Sequence, residues 1–404
     1  MDFAFVQVPA KATVQVVRDC AAKGIKLAVL FTAGFGESEN EWGKELEEEL
    51  VNVARQSGVR LLGPNCMGVY CPAVRLTFGP DFPVESGPVG AFCQSGGNAH
   101  QLVYSGGHRG MRFSQVISYG NAIDINEAEL MEYFAQDQET RVIIAYIEGV
   151  KEGRRFYQAL KAAAQAKPVI VFKGGQTIAG AAAALSHTGS LVGSNELWGG
   201  LIKQAGAIQA YNIDECVDIA LALLFMRPPG GRRVAVFGNG GGATVQSADD
   251  CYRAGLVLPA IPADIRDELK KFIPVAGNIF RNPLDIGGIF DKPDEISHTV
   301  RAVGKWTGVD SLIFNAGIGL AGDYMVEFNL LKPNVEAFIS TTKEVDKSAA
   351  VVVHAVYSDQ GYRGFSQLRQ TCADAGMPFY PSVQHAANAI DKVIRYYQGR
   401  GSPL

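Results

Sequence analysis

Short apolar runs rich in valine and isoleucine alternate with amphipathic helical patterns through the whole chain. Nearly continuous apolar runs of this kind are typical of parallel strands that helices cover on both faces. The pattern therefore predicts an α/β protein built from doubly wound parallel sheets. The predicted strands are Phe3–Val8, Leu27–Thr32, Arg60–Leu62, Val89–Cys93, Phe113–Ser118, Val142–Ile147, Val169–Phe172, Val234–Phe237, Ser311–Phe314, Ala350–His354 and Pro378–Tyr380.

Two breaks in this pattern divide the chain into three predicted domains. Residues 227–233 combine two prolines, two glycines and three arginines between a helical pattern and a new strand. Turn-forming residues at 79–83 provide a softer break. The predicted domains are residues 1–80, 81–226 and 232–404.

The first predicted domain opens on an apolar strand at the third residue. A complete dinucleotide-type domain should open with a strand, a glycine-rich turn and a helix. That opening is absent before Phe3. Either this domain is a fragment, or another element supplies its missing strands.

Composition narrows the class of protein. The chain has 404 residues, of which 47% are hydrophobic and 19% charged, so it can bury sizeable cores. A formal net charge of −4, without clusters of lysine and arginine, argues against a nucleic-acid partner. No apolar run approaches the ~20 residues of a membrane span, and no targeting signal is visible. We expect a cytoplasmic protein that binds neither nucleic acid nor a membrane.

Two glycine-rich turns, at residues 92–98 and 237–243, follow predicted strands and open onto helical patterns. Glycines let the backbone approach a ligand, and a helix that starts there directs unpaired N–H groups and the positive end of its dipole at an anion. Each turn is a candidate phosphate site, although a tight turn that serves packing alone has the same sequence. The candidate phosphate-binding residues are Gln94, Ser95, Gly96, Gly97, Gly240, Gly241 and Gly242.

The same turns do not match a nicotinamide cofactor site. Such a site needs an Asp or Glu at the end of the following strand to bind the ribose, and segments 113–118 and 256–259 do not end in one. The sequence also has no Gly-x-x-x-x-Gly-Lys-Ser/Thr motif. A dehydrogenase is therefore disfavoured, and any ATP chemistry must use another module.

His187 lies in a run of small and hydroxyl-bearing residues, 181–190, that offers no bulk to bury an imidazole. Glu148 follows the strand Val142–Ile147, at the sheet edge where open α/β folds hold their ligands. If Glu148 accepts a hydrogen bond from one nitrogen of His187, the other nitrogen is free as a nucleophile toward phosphorus. A solvated loop histidine and a hydrated strand-end carboxylate are the alternatives.

Pro64, Asn65 and Cys66 form a third turn, after the strand Arg60–Leu62. It could bring a polar amide against a bound cofactor, or it could be a turn and nothing more. The Cys66 thiol has no adjacent base, and an isolated buried cysteine is usually inert. The seven cysteines form no Cys-x-x-Cys pair, so we predict neither disulfides nor a metal site.

Seven short motifs, taken in order, resemble the alpha-type portion of the NDP-forming acyl-CoA synthetases. This family includes ADP-forming acetyl-CoA synthetase and is related to succinyl-CoA synthetase. The resemblance covers nearly the whole chain. The motifs are Gly63-Pro64-Asn65-Cys66, Gln94-Ser95-Gly96-Gly97, Gly120-Asn121, Tyr146-Ile147-Glu148-Gly149, Leu185-Ser186-His187-Thr188-Gly189-Ser190, Asn239-Gly240-Gly241-Gly242 and Asn282-Pro283-Leu284-Asp285.

The resemblance implies an acid–thiol ligase in which acyl-CoA, phosphate and ADP interconvert with acid, CoA and ATP through an acyl phosphate and a phosphohistidine. His187 matches that histidine, and Glu148 matches the carboxylate that positions it. Ser95, Gly96 and Gly97 match the phosphate loop, and the turn at 240–242 would face the same phosphate. The turn Pro64-Asn65-Cys66 would contact CoA.

In domain terms, the resemblance implies a partial Rossmann-like CoA-binding domain over 1–80. Two flavodoxin-like ligase domains would follow, over 81–226 and 232–404, with the phosphohistidine in the first.

Two departures from the family bear on function. Roughly the first half of the CoA-binding domain and the whole ATP-grasp module are missing from the sequence. We therefore expect a beta-type ATP-grasp partner or fused domain that holds ADP or ATP with Mg²⁺, and an oligomer that acts on a small carboxylic acid or its acyl-CoA. The alternative is a non-catalytic regulatory module that binds CoA or acyl-CoA.

Overall fold

The computed structural model describes residues 3–38, 41–177, 179–180, 195–238, 240–289, 292–316, 324–354 and 359–400. The chain divides into two units, Met1–Val217 and Asp218–Leu404. Each unit is built on parallel α/β sheets, as the apolar pattern predicts.

The first sheet of the first unit has three parallel strands in the order β1-β2-β3. Its helices bury apolar stripes against the sheet, with Val14 and Val17 from α1 and Leu50 from α2 in one core. The spacing of three between Val14 and Val17 puts both side chains on one helix face. The elements are β1 (Phe3–Val6), α1 (Ala10–Ala22), β2 (Leu27–Leu30), α2 (Glu41–Ser57) and β3 (Arg60–Leu62).

The second sheet has six strands in the order β4-β6-β5-β7-β8-β9, and only β4 is antiparallel to its neighbour. Every residue of β7 is buried, which explains its unbroken apolar sequence. The elements are β4 (Gly68–Tyr70), β5 (Ser86–Cys93), α3 (Gly96–His108), β6 (Phe113–Ser118), α4 (Glu127–Gln136), β7 (Val142–Ile147), α5 (Gly153–Ala166), β8 (Val169–Lys173), α6 (Asn195–Ala205), β9 (Ile208–Ala210) and α7 (Ile213–Phe225).

The second unit contains a five-stranded parallel sheet in the order β11-β10-β12-β13-β14. The order β6-β5-β7-β8-β9 and this order follow the same flavodoxin-like pattern, in which the first strand lies inside the sheet. The elements are β10 (Val234–Gly238), α8 (Gly241–Arg253), α9 (Ala263–Leu269), β11 (Leu284–Asp285), α10 (Pro293–Gly304), β12 (Ser311–Asn315), α11 (Tyr324–Val345), β13 (Ser348–Val352), α12 (Asp359–Asp374), β14 (Phe379–Tyr380) and α13 (Val383–Gly399).

All eleven predicted strands are present, most with ends shifted by a few residues, and the prediction missed β4, β9 and β11. These three strands have only two or three residues, too few to show a periodic pattern. The strand predicted at Ala350–His354 begins two residues earlier, because small polar Ser348 pairs with Ser311 of β12. The antiparallel β4 is a departure from the predicted parallel arrangement.

Candidate active site

The connections of the six-stranded sheet reverse direction between β5 and β7. The chain leaves β5 for β6 on one side and later crosses to β7 on the other. Open α/β sheets hold their ligands at the carboxyl ends of strands at such a point. Here those ends carry Gln94 and Ser95 after β5, and Glu148 after β7.

The start of α3 lies at this switch point. The Ser95 hydroxyl accepts a hydrogen bond from the Asn98 N–H at 3.3 Å and so caps the helix. Gly96 and Gly97 form its first turn, where backbone N–H groups and the helix dipole favour an anion. The turn therefore has the geometry of a phosphate site, and its occupancy by phosphate stays a prediction.

A cavity of about 590 Å³ opens in front of this helix start. Its walls come from both sheets of the first unit, at the carboxyl ends of their strands. The volume is in the range of small-molecule and cofactor sites. The lining residues are Gln7, Val8, Pro9, Phe31, Thr32, Ala33, Asn65, Cys66, Met67, Gln94, Ser95, Gly96, Gly97, Gly120 and Asn121.

The turn at Pro64-Asn65-Cys66 forms one wall of the cavity. Asn65 adopts a left-handed backbone conformation with φ of 57°, and its N–H donates to the Thr32 carbonyl at 2.9 Å. Gly120 packs so tightly on the turn that a Cβ would lie 2.1 Å from the Pro64 carbonyl oxygen. Burial raises the pKa of the Cys66 thiol to about 12, which fits the expectation that it is not a nucleophile.

Glu148 is buried, with 6% of its surface exposed, so the alternative of a hydrated strand-end carboxylate is wrong. Its backbone N–H donates to Gln94 Oε1 at 2.8 Å. The phenol of Tyr146 donates to Glu148 Oε1 at 3.0 Å, and Asn98 is a second partner of that phenol. Burial raises the pKa of Tyr146, so the phenol remains a neutral donor.

The structure also brings Lys173 and Glu37 to this site, and the sequence analysis passed over both. Lys173 ends β8 beside the end of β7. Glu37 binds the Asn121 side-chain amide at 2.5 Å, on the wall of the cavity. Lys173 directly follows the predicted strand Val169–Phe172, which is the signal that identified Glu148, whereas Glu37 lies several residues beyond the end of β2 and has no such signal.

His187 lies outside the described residues, between β8 and α6, so its placement beside Glu148 stays a prediction. Ser186 and Thr188 lie in the same undescribed stretch, 181–194.

In the second unit, the glycine turn also begins a helix at the carboxyl end of a strand. Gly240 has φ of 93° and precedes α8, whose first residues are Gly241 and Gly242. Asp285 Oδ1 accepts hydrogen bonds from the N–H groups of Gly240 at 3.0 Å and Gly287 at 3.1 Å. This carboxylate fixes the turn, and the amides of Gly241 and Gly242 lie beyond it at the helix start.

Three family models match consecutive parts of the chain. A CoA binding domain matches residues 1–72, a succinyl-CoA ligase like flavodoxin domain matches residues 86–223, and a ligase-CoA domain matches residues 234–361.

The chain is 42% identical over 403 residues to the alpha subunit of ADP-forming acetate–CoA ligase I from Pyrococcus furiosus, covering 98% of this chain and 83% of the relative. The chain belongs to the NDP-forming acyl-CoA synthetase family. This alpha-type synthetase chain is also 40% identical to ADP-forming acetate–CoA ligase I of Archaeoglobus fulgidus, of which it spans 54%.

Solved structures agree with this family assignment. Acetyl-coenzyme A synthetase 1 of Ca. Korarchaeum cryptofilum, in complex with phosphate and ADP, is similar with a TM-score of 0.83 and 32% identity, covering 100% of this chain and 84% of that chain. Family membership supports the catalytic interpretation, as the alpha-type part of a ligase, over a non-catalytic regulatory module.

The structure was also searched for metal-binding clusters and for helices that could span a membrane. Among the residues that the structure describes, no group of three or more His, Cys, Asp or Glu side chains is arranged to hold a metal ion. Within the same ranges, no helix combines the length and the apolar character that a membrane span requires.

Proposed function

We propose that this chain carries the CoA- and phosphate-dependent half of an ADP-forming acyl-CoA synthetase. The overall reaction converts acyl-CoA, phosphate and ADP into a small carboxylic acid, CoA and ATP. The observation that carries the proposal is the capped start of α3 beside buried Glu148, at the switch point of the sheet and open to a cavity of about 590 Å³.

In the first step, phosphate binds at Gln94, Ser95, Gly96 and Gly97 and attacks the thioester carbonyl. A phosphate oxygen forms a bond to the carbonyl carbon, the carbon–sulfur bond breaks, and CoA leaves as the thiolate. The N–H groups of the helix start stabilise the phosphate charge throughout. The product is an enzyme-bound acyl phosphate.

In the second step, a nitrogen of His187 attacks phosphorus and the carboxylic acid leaves as its carboxylate. Glu148 accepts a hydrogen bond from the other ring nitrogen and stabilises the cation that forms. The glycine turn Gly240–Gly242, at a helix start of the second unit, is a further phosphate-binding turn in this proposal.

The family assignment supports the remaining ligands and partners of this proposal. CoA contacts Pro64, Asn65 and Cys66, of which Asn65 and Cys66 line the cavity. ADP or ATP with Mg²⁺ binds on a beta-type ATP-grasp subunit or fused domain, and the assembly is oligomeric. We retain the division into a CoA-binding domain over 1–80 and ligase domains over 81–226 and 232–404. All seven cysteines are thiols rather than disulfides, which suits a reducing cytoplasm.

The test is phosphate transfer to this chain. With acetyl-CoA and ³²P-labelled inorganic phosphate, or with labelled ATP and the ATP-grasp partner, we expect an acid-labile, base-stable label on His187. His187→Ala should abolish the label, and Glu148→Gln should lower its rate of formation about 100- to 10,000-fold. A label that survives His187→Ala would overturn the assignment.

A further inference from the structure

Glu37 is a carboxylate bonded to the wall of the candidate cavity, and the proposed reaction gives it no task. It lies in the loop after β2, in the three-stranded sheet, whereas Asn121 lies in the loop after β6, in the six-stranded sheet. Asn121 lines the cavity, and its Nδ2 donates a hydrogen bond to Glu37 Oε2 at 2.5 Å. This contact joins the two sheets that wall the cavity.

Two backbone N–H groups hold the Glu37 carboxylate in place. The Gly34 N–H donates to Oε1 at 2.5 Å, and the Phe35 N–H donates to Oε2 at 3.2 Å. The carboxylate therefore accepts from three donors, two in its own loop and one on the other sheet. Charge-assisted hydrogen bonds of this kind are stronger than those between neutral groups, so the carboxylate has a defined orientation.

The backbone around Asn121 is also restricted. Its neighbours Gly120 and Ala122 both have a left-handed conformation, with φ of 56° and 54°. That conformation is unfavourable for alanine and persists only where surrounding contacts enforce it. The Asn121 N–H donates to the Pro64 carbonyl at 3.0 Å, and the residue is 7% exposed. The position of Asn121 is therefore fixed by its backbone, and Glu37 fixes its side chain.

The carboxylate decides which atom of the Asn121 amide is turned towards the rest of the cavity wall. An ionised carboxylate only accepts hydrogen bonds, so the amide nitrogen must be the atom that faces Glu37. The amide oxygen is then turned towards Asn65, whose Nδ2 is 3.5 Å away. Both asparagines line the cavity, and a carbonyl oxygen can accept two hydrogen bonds. Asn121 Oδ1 can therefore accept a hydrogen bond from a ligand.

The ligand of the proposed reaction carries a matching donor. In acyl-CoA, a short ethylene link joins the thioester sulfur to an amide N–H of the pantetheine arm. In the proposed reaction the thioester must reach phosphate at the start of α3, and Gly96 and Gly97 of that turn line the same cavity as Asn121. The amide N–H beside the sulfur must then lie in this cavity too.

We propose that Glu37 is a positioning residue that fixes the Asn121 amide, and that Asn121 Oδ1 accepts a hydrogen bond from this pantetheine N–H. The inference rests on the proposed function. The bond holds the arm of CoA against the cavity wall, with the thioester towards the phosphate turn. Glu37 itself contacts no ligand and acts through Asn121.

The test is calorimetric titration of the full chain with CoA. Glu37→Gln leaves one side-chain oxygen for three donors and frees the Asn121 amide to turn, so CoA should bind about 3- to 10-fold more weakly. Asn121→Asp sets two carboxylates against each other and should weaken binding further. In the double variant the introduced glutamine can donate to the introduced aspartate, so affinity should recover to within about threefold of wild type. A double variant that binds CoA no better than Asn121→Asp, or a Glu37→Gln affinity equal to wild type, would overturn the proposal.

Two controls separate positioning from a general loss of structure. Glu47→Gln is the matched variant, because Glu47 Oε2 accepts the Gly36 N–H at 2.9 Å in the same loop and, within the described part of the chain, makes no bond to Asn121. Its CoA affinity should equal that of wild type. Adenosine 3′,5′-bisphosphate represents the nucleotide end of CoA without the pantetheine arm, and Glu37→Gln should leave its affinity unchanged. A parallel loss of affinity for both ligands would overturn the contact with the arm.

Urea unfolding of wild type, the two single variants and the double variant needs no ligand. Non-additive shifts of the unfolding midpoint are expected because Glu37 and Asn121 are bonded to each other, whereas additive shifts would overturn the positioning. If this coupling is present but the wild-type chain binds no CoA, the proposed function is overturned, and with it the role of the pair in binding.

Discussion

The side-chain oxygen of Gln94 lies 2.8 Å from the backbone nitrogen of Glu148 and accepts its hydrogen bond. The same oxygen accepts a second bond from the Gly149 N–H at 3.2 Å, while the Gln94 N–H donates to the Tyr146 carbonyl at 3.0 Å. The phosphate-type turn after β5 and the carboxylate after β7 are thus joined through one glutamine. Substitution of Gln94 should therefore affect both the turn after β5 and the position of Glu148.

Two replacements of Gln94 should separate its contribution to stability from its effect on phosphate binding. Gln94→Leu leaves two buried N–H groups without an acceptor and should lower the free energy of unfolding by about 2–4 kcal/mol. Gln94→Glu keeps an acceptor oxygen and should retain most of the stability, but its negative charge beside the helix start should weaken phosphate binding. Urea denaturation and calorimetric titration with phosphate measure the two effects. Equal destabilisation by Leu and Glu would contradict this role.

Ser95 should contribute to ligand binding in addition to capping its helix. Ser95→Ala removes the cap of α3 and should cost about 1 kcal/mol of stability, together with a loss of phosphate affinity. Ser382 caps α13 in the same way, because its hydroxyl accepts a hydrogen bond from the backbone N–H of His385 at 3.3 Å. Ser382→Ala is therefore the matched control, with a similar loss of stability and unchanged phosphate binding. If both variants bind phosphate equally well, the anion site is not at α3.

Gly174 should be required for the placement of Tyr146 and Glu148. The Cβ of Gly174→Ala would meet the Tyr146 hydroxyl and Glu148 Cγ, so the pair must shift. We expect phosphohistidine formation to slow about 10- to 100-fold, the usual effect of a small misplacement at a reacting centre. Gly153→Ala, where a Cβ meets no atom within 4 Å, should label normally. A Gly174→Ala chain with the wild-type rate would contradict this dependence.

The buried Lys173 should make stability depend on pH in a defined window. Burial lowers the pKa of Lys173 from 10.5 to about 8, so between these values the unfolded chain binds more protons than the folded chain. Stability from this group therefore rises as pH rises from about 8 to 10.5. Relative to Lys173→Met, wild type should gain roughly 2–3 kcal/mol across that interval. Urea unfolding of both chains at pH 7, 9 and 10.5 measures the difference, and a constant difference would refute it.

The location of the site could be predicted from local sequence. Glu148 directly follows the apolar run Val142–Ile147, and a short run of this kind, rich in valine and isoleucine, is typical of a strand covered on both faces. Gln94 and Ser95 stand before glycines that open a helix, and the structure has α3 start there. Sequence rules of this kind work because strand ends and helix caps depend on a few adjacent residues.

The contacts inside the site could not be predicted in this way. Gln94 reaches Glu148 only because the chain crosses over so that β7 pairs beside β5. Neighbouring strands supply the hydrogen-bond partners of the short strands β4, β9 and β11. A sequence of two or three residues is too short to predict such pairing.

By itself, the sequence determined the α/β class, the polar residues at the strand ends and the glycines at the helix starts. The tertiary structure alone decided that Lys173 is buried against the ring of Trp198, and that the start of α3 opens to a cavity walled by both sheets of the first unit. The physical reason is that strand and helix patterns arise from neighbours along the chain. Burial, charge pairing and cavity walls arise from residues that only the crossover connections bring together.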